Sequence, residues 1–132
     1  MSRTVVTFGT FDVFHVGHLR VIERAAQYGD RLIVGVSSDA LNLSKKGREP
    51  VFSEAERLAI VAALKPVDEV FVEESLELKR DYLVKYGADV LVMGDDWEGR
   101  FDEFKDISEV VYLTRTPAIS TTALIEKISA GS

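Results

Sequence analysis

Two histidines three residues apart, His15 and His18, are the side chains in this sequence best suited to chemistry. They lie within GTFDVFHVGH, from Gly9 to His18. The apolar run Val5-Val6-Thr7-Phe8 precedes them, and Leu19 to Ala26 follows with helical apolar spacing. The pair therefore falls where a buried strand ends and a helix begins. A helix start offers unpaired N–H groups and partial positive charge, which attract anions. Gly17 lets the backbone approach a neighbour or a ligand closely. Alone, His-x-x-His is better explained by two polar residues beside a turn, because short motifs match by chance. At the carboxyl end of a first α/β strand, where ligands collect, it reads as a phosphate site.

Three other stretches carry charge or hydroxyls at corresponding places. Lys45-Lys46-Gly47-Arg48 reads as a basic loop after the second strand, from which a lysine can close over phosphates. By itself it would be a solvated lysine run. Arg115 to Thr122, RTPAISTT, precedes the last helix. Ser120 or Thr121 can cap that helix, and its N–H groups and hydroxyls, with the planar fork of Arg115, make a second anion cradle. Gly94-Asp95-Asp96-Trp97 is an acidic loop whose carboxylates suit Mg²⁺, ribose, base or loop N–H groups alike. Two neighbouring aspartates do not single out the metal, and Trp97 reads as a packing residue. No cysteine is present to complete a zinc site, and no nucleophile elbow or Gly-x-Gly-x-x-Gly follows the first strand.

The elements that must position these groups alternate regularly. Strand, turn and helix fill residues 3 to 28, and Gly29-Asp30 closes the unit. Arg31 to Ser37, RLIVGVS, is a second strand buried on both faces, so the connection is a right-handed crossover and the sheet parallel. Ser38 to Pro50 lacks apolar periodicity and reads as a loop with one helical turn near Asp39 to Asn42. A capping box at Ser53 to Glu56 opens a helix that buries Leu58, Val61 and Leu64 before Pro66 ends it. Further strands are expected at Val67 to Val72, Asp89 to Met93 and Glu109 to Leu113. Helices are expected from Glu73 to Tyr86 (with Leu76, Leu83 and Tyr86 on its apolar face), briefly within 100–107, and from Ser120 (with Leu124, Ile125 and Ile128 on its apolar face). Five strands alternating with helices give one three-layer, doubly wound α/β domain over residues 1–132.

Composition limits the partners. With 132 residues, 46% hydrophobic and 29% charged, the chain matches one globular domain. A net charge of −6 argues against broad nucleic-acid binding, which needs lysine and arginine on many phosphates. No apolar run reaches membrane-span length, and MSRTVV is not a signal peptide, so the cytoplasm is the expected setting.

These segments, in this order, resemble the HxGH nucleotidyltransferases and, within them, the cytidylyltransferases that act on glycerol 3-phosphate. The likeness runs through GTFDVFHVGH, the basic stretch, VDEV at Val67 to Val70, VMGDDWEGRFD at Val92 to Asp102 and RTPAISTT. It implies a Rossmann-like fold and attack of a phosphate oxygen on the α-phosphorus of CTP, yielding CDP-glycerol and pyrophosphate for teichoic acid or a related envelope polymer. It implies hydrogen bonds from His15 and His18 to the transferring phosphate, and charge neutralisation by Lys45 or Lys46. Gly9, Thr10, Phe11 and Asp96 would border the nucleotide. Thr116, Ile119 and Thr122 would also contact the nucleotide, and Arg115, Ser120 and Thr121 would hold its outgoing pyrophosphate. Lys45 and Lys79 would meet the acceptor, Mg²⁺ would ride on the triphosphate with no assigned protein ligand, and the chain would form a homodimer, with VDEV a candidate contact. Lys65 and Leu76 stand where that family usually has arginine and tryptophan, which leaves the acceptor less constrained than the nucleotide. Another phosphorylated acceptor, ATP in place of CTP, and a nucleotide-binding protein without turnover are the alternatives.

Overall fold

Alternating side chains along β-branched runs force each strand to feed two hydrophobic layers at once. Val5 joins Leu32, Val34, Val36, Val90 and Val92 on one face of the sheet, while Val6 joins Phe8, Ile33, Leu91 and Met93 on the other. The computed structural model, which describes residues 2–114 and 121–130, places these residues in five parallel strands: β1 (Thr4–Gly9), β2 (Arg31–Ser37), β3 (Glu69–Glu73), β4 (Val90–Gly94) and β5 (Glu109–Leu113). Their order is β3-β2-β1-β4-β5. Helices α1 (Val16–Ala26) and α3 (Glu54–Ala62) cover the first face through Ile22, Ala25 and Val61. Leu83 of α4 (Lys79–Lys85), with Phe101 and Phe104, covers the second. The remaining helices are α2 (Asp39–Lys46) and α5 (Thr121–Ala130). The doubly wound architecture is as expected from the alternation.

Aspartates pin the register at the amino edge. Asp30, Asp68 and Asp89 accept hydrogen bonds from the backbone N–H groups of Arg3, Leu32 and Thr4 at 2.8–2.9 Å. Each such bond ties the start of one strand to the segment leading into its neighbour.

Three elements differ from the sequence reading, each for a local reason. Ser38 to Pro50 is not mainly loop: Ser38 Oγ caps α2 by accepting from Leu41 N–H at 3.0 Å, and Gly47 stops it at φ 73°. The helix lacks an apolar stripe because the inward position beside Leu41 is Asn42, which is polar but buried. The predicted helix from Glu73 is broken. Glu73 ends β3, Ser75 caps a 3₁₀ turn at Leu76–Leu78, and α4 starts at Lys79. Leu76 is consequently exposed rather than in the core. β3 begins at Glu69 rather than Val67, because Asp68 spends its carboxylate on Leu32 N–H.

One charged side chain ties the sheet to the helices at the carboxyl edge. Arg57 of α3 has no exposed surface, yet its guanidinium is satisfied throughout. Nη1 donates to the carbonyls of Thr10 at 2.9 Å and Ser37 at 2.7 Å, Nε to Phe52 at 3.0 Å, and Nη2 to Asp39 Oδ1 at 2.7 Å. The ends of β1 and β2, the start of α2 and the approach to α3 thus converge on one cation. Replacing Arg57 with Met takes the guanidinium donor from the Thr10 and Phe52 carbonyls and leaves the Ser37 carbonyl only a 3.4 Å bond from Asn42 Nδ2, so we expect stability to fall by about 3 kcal/mol or more. Urea unfolding measures this, and a loss below about 1 kcal/mol would show that the four partners do not depend on Arg57.

Candidate active site

The sheet order reverses between β1, which is followed by β2 on one side, and β4 on the other. At such a switch point the connections leave in opposite directions and open a crevice at the carboxyl ends of the strands. Gly9 and Gly94 end the two strands that flank it.

The turn from β1 into α1 is strained and firmly held. Phe11 and Val13 have φ of 56° and 46°, a left-handed region that is costly for a β-branched residue. Asp12 supplies the restraint. Its carboxylate accepts from Val13 N–H at 3.0 Å, Phe52 N–H at 2.8 Å and Val51 N–H at 2.8 Å. The turn folds the Phe11 ring back over Gly9, whose missing Cβ would lie 2.8 Å from that ring. Any side chain at residue 9 would displace the ring.

His15 and His18 form a reciprocal capping box at the start of α1. His15 Nδ1 accepts from Gly17 N–H at 3.0 Å, and His18 Nδ1 accepts from His15 N–H at 3.1 Å. A neutral imidazole with an accepting Nδ1 carries its proton on Nε2. Capping therefore selects the tautomer in which Nε2 is a donor. The rings stack at 3.9 Å, and Phe11 and Phe14 flank His18. Burial, reinforced by the neighbouring His15, pushes His18 down to about 4, and burial also lowers His15. Both are neutral donors at pH 7.

Two neighbouring cavities open on this edge. The first, of about 430 Å³, is bordered by Gly9, Thr10, Phe11, His18, Lys46 and Asp96. The second, of about 370 Å³, shares Gly9, Thr10, Lys46 and Asp96 with it and adds Lys45 and Lys79. Trp97 borders both while packing against Phe101 at 5.5 Å between ring centres. The sequence-derived set thus converges on one edge. His15 enters through its stack on His18. Arg115, Thr116, Ile119 and Ser120 lie outside the described residues, as do the side chains of Thr121 and Thr122, whose backbone opens α5.

The basic stretch is corrected from a flexible loop to the last turn of a fastened helix. Asn42 Oδ1 accepts from Thr10 Oγ1 at 3.0 Å, and Asn42 Nδ2 donates to the Ser38 carbonyl at 2.9 Å. Asp39 and Glu54 exchange backbone hydrogen bonds at 2.9 and 3.1 Å, which locks the starts of α2 and α3 together. Lys45 and Lys46 follow Asn42 by three and four residues, so one helical turn carries them from that anchor to the cavities. Burial lowers Lys45 from the ordinary lysine range, with Glu73 opposing and Lys46 adding to the shift.

Arg57, Asn42, Asp39 and Glu73 are site-building residues that the sequence reading passed over. Arg57 had a readable signal, since it precedes Val61 and Leu64 by four and seven residues, on the apolar stripe itself. Lys79 was expected at the acceptor. It borders the second cavity but is already paired with Glu73 at 2.8 Å. Among the described residues, no group of three or more His, Asp or Glu side chains could hold a metal ion, and no helix is long and apolar enough to cross a membrane.

Comparison with known proteins agrees with this geometry. The cytidylyltransferase-like family model matches residues 6–127. Glycerol-3-phosphate cytidylyltransferase of Bacillus subtilis (strain 168) is 46% identical over 96% of this chain and 98% of its own length. The Staphylococcus aureus (strain NCTC 8325 / PS 47) protein of the same name is 40% identical over 96% of this chain and 95% of its own length. The crystal structure of the lipopolysaccharide core biosynthesis protein from Thermoplasma volcanium GSS1 shares the fold at a TM-score of 0.75. It is 24% identical, with 88% of this chain and 99% of that one covered. With a paired-histidine helix start at the switch point and a match over nearly its whole length, the chain belongs to the cytidylyltransferase-like family.

Proposed function

We propose that this chain is a glycerol-3-phosphate cytidylyltransferase: a phosphate oxygen of glycerol 3-phosphate attacks the α-phosphorus of CTP, the bond to the β-phosphate breaks, and CDP-glycerol and pyrophosphate leave. The two substrates follow the names of the relatives. The observation that carries the chemistry is the histidine capping box, which selects the Nε2-protonated tautomer of both histidines next to a cavity of about 430 Å³ that His18 borders. Such transfer needs positioning and charge stabilisation rather than a protein nucleophile. Negative charge grows on the non-bridging oxygens during attack, and hydrogen bonds from the Nε2–H groups of His15 and His18 stabilise it.

Gly9, Thr10, Phe11 and Asp96 border the nucleotide in this reading. Lys45 and Lys46, carried by α2, neutralise phosphate charge, with Lys45 and Lys79 facing the acceptor. Arg115, Ser120 and Thr121 hold the departing pyrophosphate, and Thr116, Ile119 and Thr122 contact the nucleotide, on the strength of the resemblance. Mg²⁺ enters as part of the nucleotide substrate, held by its phosphate oxygens, whose charge it offsets. The cytoplasmic setting, the homodimer and the use of CDP-glycerol in teichoic acid or a related polymer rest on the same resemblance.

The direct test is pyrophosphate release from CTP and glycerol 3-phosphate with isolation of CDP-glycerol. Turnover with ATP but not CTP, or tight CTP binding with no product from any phosphate monoester, would overturn the proposal. His15→Ala and His18→Ala should each lower kcat by about a hundredfold or more, the scale of a lost transition-state donor, with the circular dichroism of the wild type. Wild-type turnover in both would remove the pair from the mechanism. His18 also makes stability depend on pH. Its folded value of about 4 lies below its ordinary 6.5, so between these limits the unfolded chain binds more protons. Stability contributed by neutral His18 is full above about pH 6.5 and is lost as pH falls towards 4. Urea midpoints across that range should decline in the wild type and much less in His18→Gln.

A further inference from the structure

The second cavity contains an ion pair whose carboxylate, Glu73, has no part in the transfer chemistry described above. Glu73, at the end of β3, and Lys79, at the start of α4, are 2% and 3% exposed and meet at 2.8 Å. The Lys79 ammonium lies 3.8 Å from the centre of the Phe8 ring and 5.0 Å from that of Phe101. These contacts fix its place at the cavity wall. Burying such a pair contributes little net stability, because well-packed apolar residues do as well. A position on a cavity wall beside a second lysine calls for another explanation.

The local charges supply it. Lys45 borders the same cavity. The charge of Glu73 acts on both Lys45 and Lys79, and the charge of Lys45 acts on Lys79. Lys45, Lys79 and Glu73 by themselves carry one net positive charge, while the whole lining sets three lysines against three carboxylates. Lys46 of α2, Asp96 after β4 and Glu103 before β5 complete the titratable lining. Neither Asp96 nor Glu103 is among the charges that shift Lys45 or Lys79. An ammonium has three N–H donors, and Glu73 Oε2 takes one from Lys79.

Resting on the reading that the acceptor enters this cavity, we propose that Glu73 is a positioning residue: it holds the Lys79 ammonium in place and charged, so that Lys79 and Lys45 together bind the acceptor's phosphate dianion. Burial pulls Lys79 below the ordinary lysine range, the charge and hydrogen bond of Glu73 oppose that, and Lys45 adds to the lowering. Without Glu73 the ammonium would have two reasons to lose its proton and little to set its direction. The carboxylate thus repels the incoming phosphate weakly but preserves the stronger attraction of two adjacent cations.

The test compares Glu73→Gln and Glu73→Asp with the wild type. In Glu73→Gln, KM for glycerol 3-phosphate should rise about tenfold while KM for CTP stays within about twofold. The rise of acceptor KM towards alkaline pH should begin at a lower pH, because Lys79 now loses its proton earlier. Glu73→Asp, which keeps the charge, should keep a pH profile close to the wild type. Parallel losses for both substrates, or an unshifted pH profile in Glu73→Gln, would reduce Glu73 to a packing role and overturn the proposal. Should Glu73→Gln fail to fold, the wild type still decides. Inorganic phosphate titrated into ¹³Cε-lysine-labelled protein should move the NMR signals of Lys45 and Lys79 together, and movement of neither overturns the proposal. If phosphate moves both but glycerol 3-phosphate gives no product, the phosphate site stands and the acceptor named above falls.

Discussion

A guanidinium removed from water must replace every hydrogen bond it gave up, and Arg57 does so with the ends of the strands that define the site. Its partners are the carbonyls of Thr10 and Ser37, the Phe52 carbonyl and the carboxylate of Asp39. Each acceptor is itself at a place where regular structure stops, and Ser37 and Asp39 are drawn in further by Asn42 Nδ2 and the Glu54 N–H. Because the cation has no exposed surface, no partner can drift away without leaving charge or dipole unpaired in a poorly polarisable interior. The β1 turn, the α2 start and the α3 approach are therefore placed relative to one another by a single side chain. The histidines and lysines inherit that placement.

The same economy marks the histidine pair. A capping residue and a transition-state donor make different demands, one using a lone pair and the other a proton. Imidazole meets both at opposite nitrogens, and the Nδ1 bonds of His15 and His18 settle which nitrogen does which. Serine or aspartate would cap α1 as well but would leave no rigid donor aimed away from the helix. Of the two readings open from the sequence, the structure shows the capped turn directly, and the tautomer this capping selects is the one the proposed phosphate role requires.

How far the sequence revealed all this depended on whether a feature is local. The five strands announced themselves because β-branched runs and sheet periodicity are properties of neighbouring residues, and GTFDVFHVGH could be placed at a strand end for the same reason. α2 was missed because its inward contact is made by Asn42, whose partner Thr10 is thirty-two residues away. Periodicity based on apolar residues cannot register a polar side chain that is buried by distant partners. Glu73 was assigned to a helix for a similar reason: a glutamate ending a strand is legible only once Lys79 is seen to be its counter-ion. Leu76 shows the converse, an apolar residue that helical spacing drew inwards and the broken chain leaves outside.

The aspartate clips at the opposite edge of the sheet bear on how such a protein can change. Asp30, Asp68 and Asp89 align the strands from the amino side, and none of them borders either cavity. Strand alignment at the amino edge and the lining of the cavities are therefore entrusted to separate sets of residues. Leu76 and Glu103 line the second cavity from exposed positions outside the strands, so a lineage, or an experimenter, can change them while the strands remain in register. The fold behaves as a frame with an exchangeable rim at its second cavity.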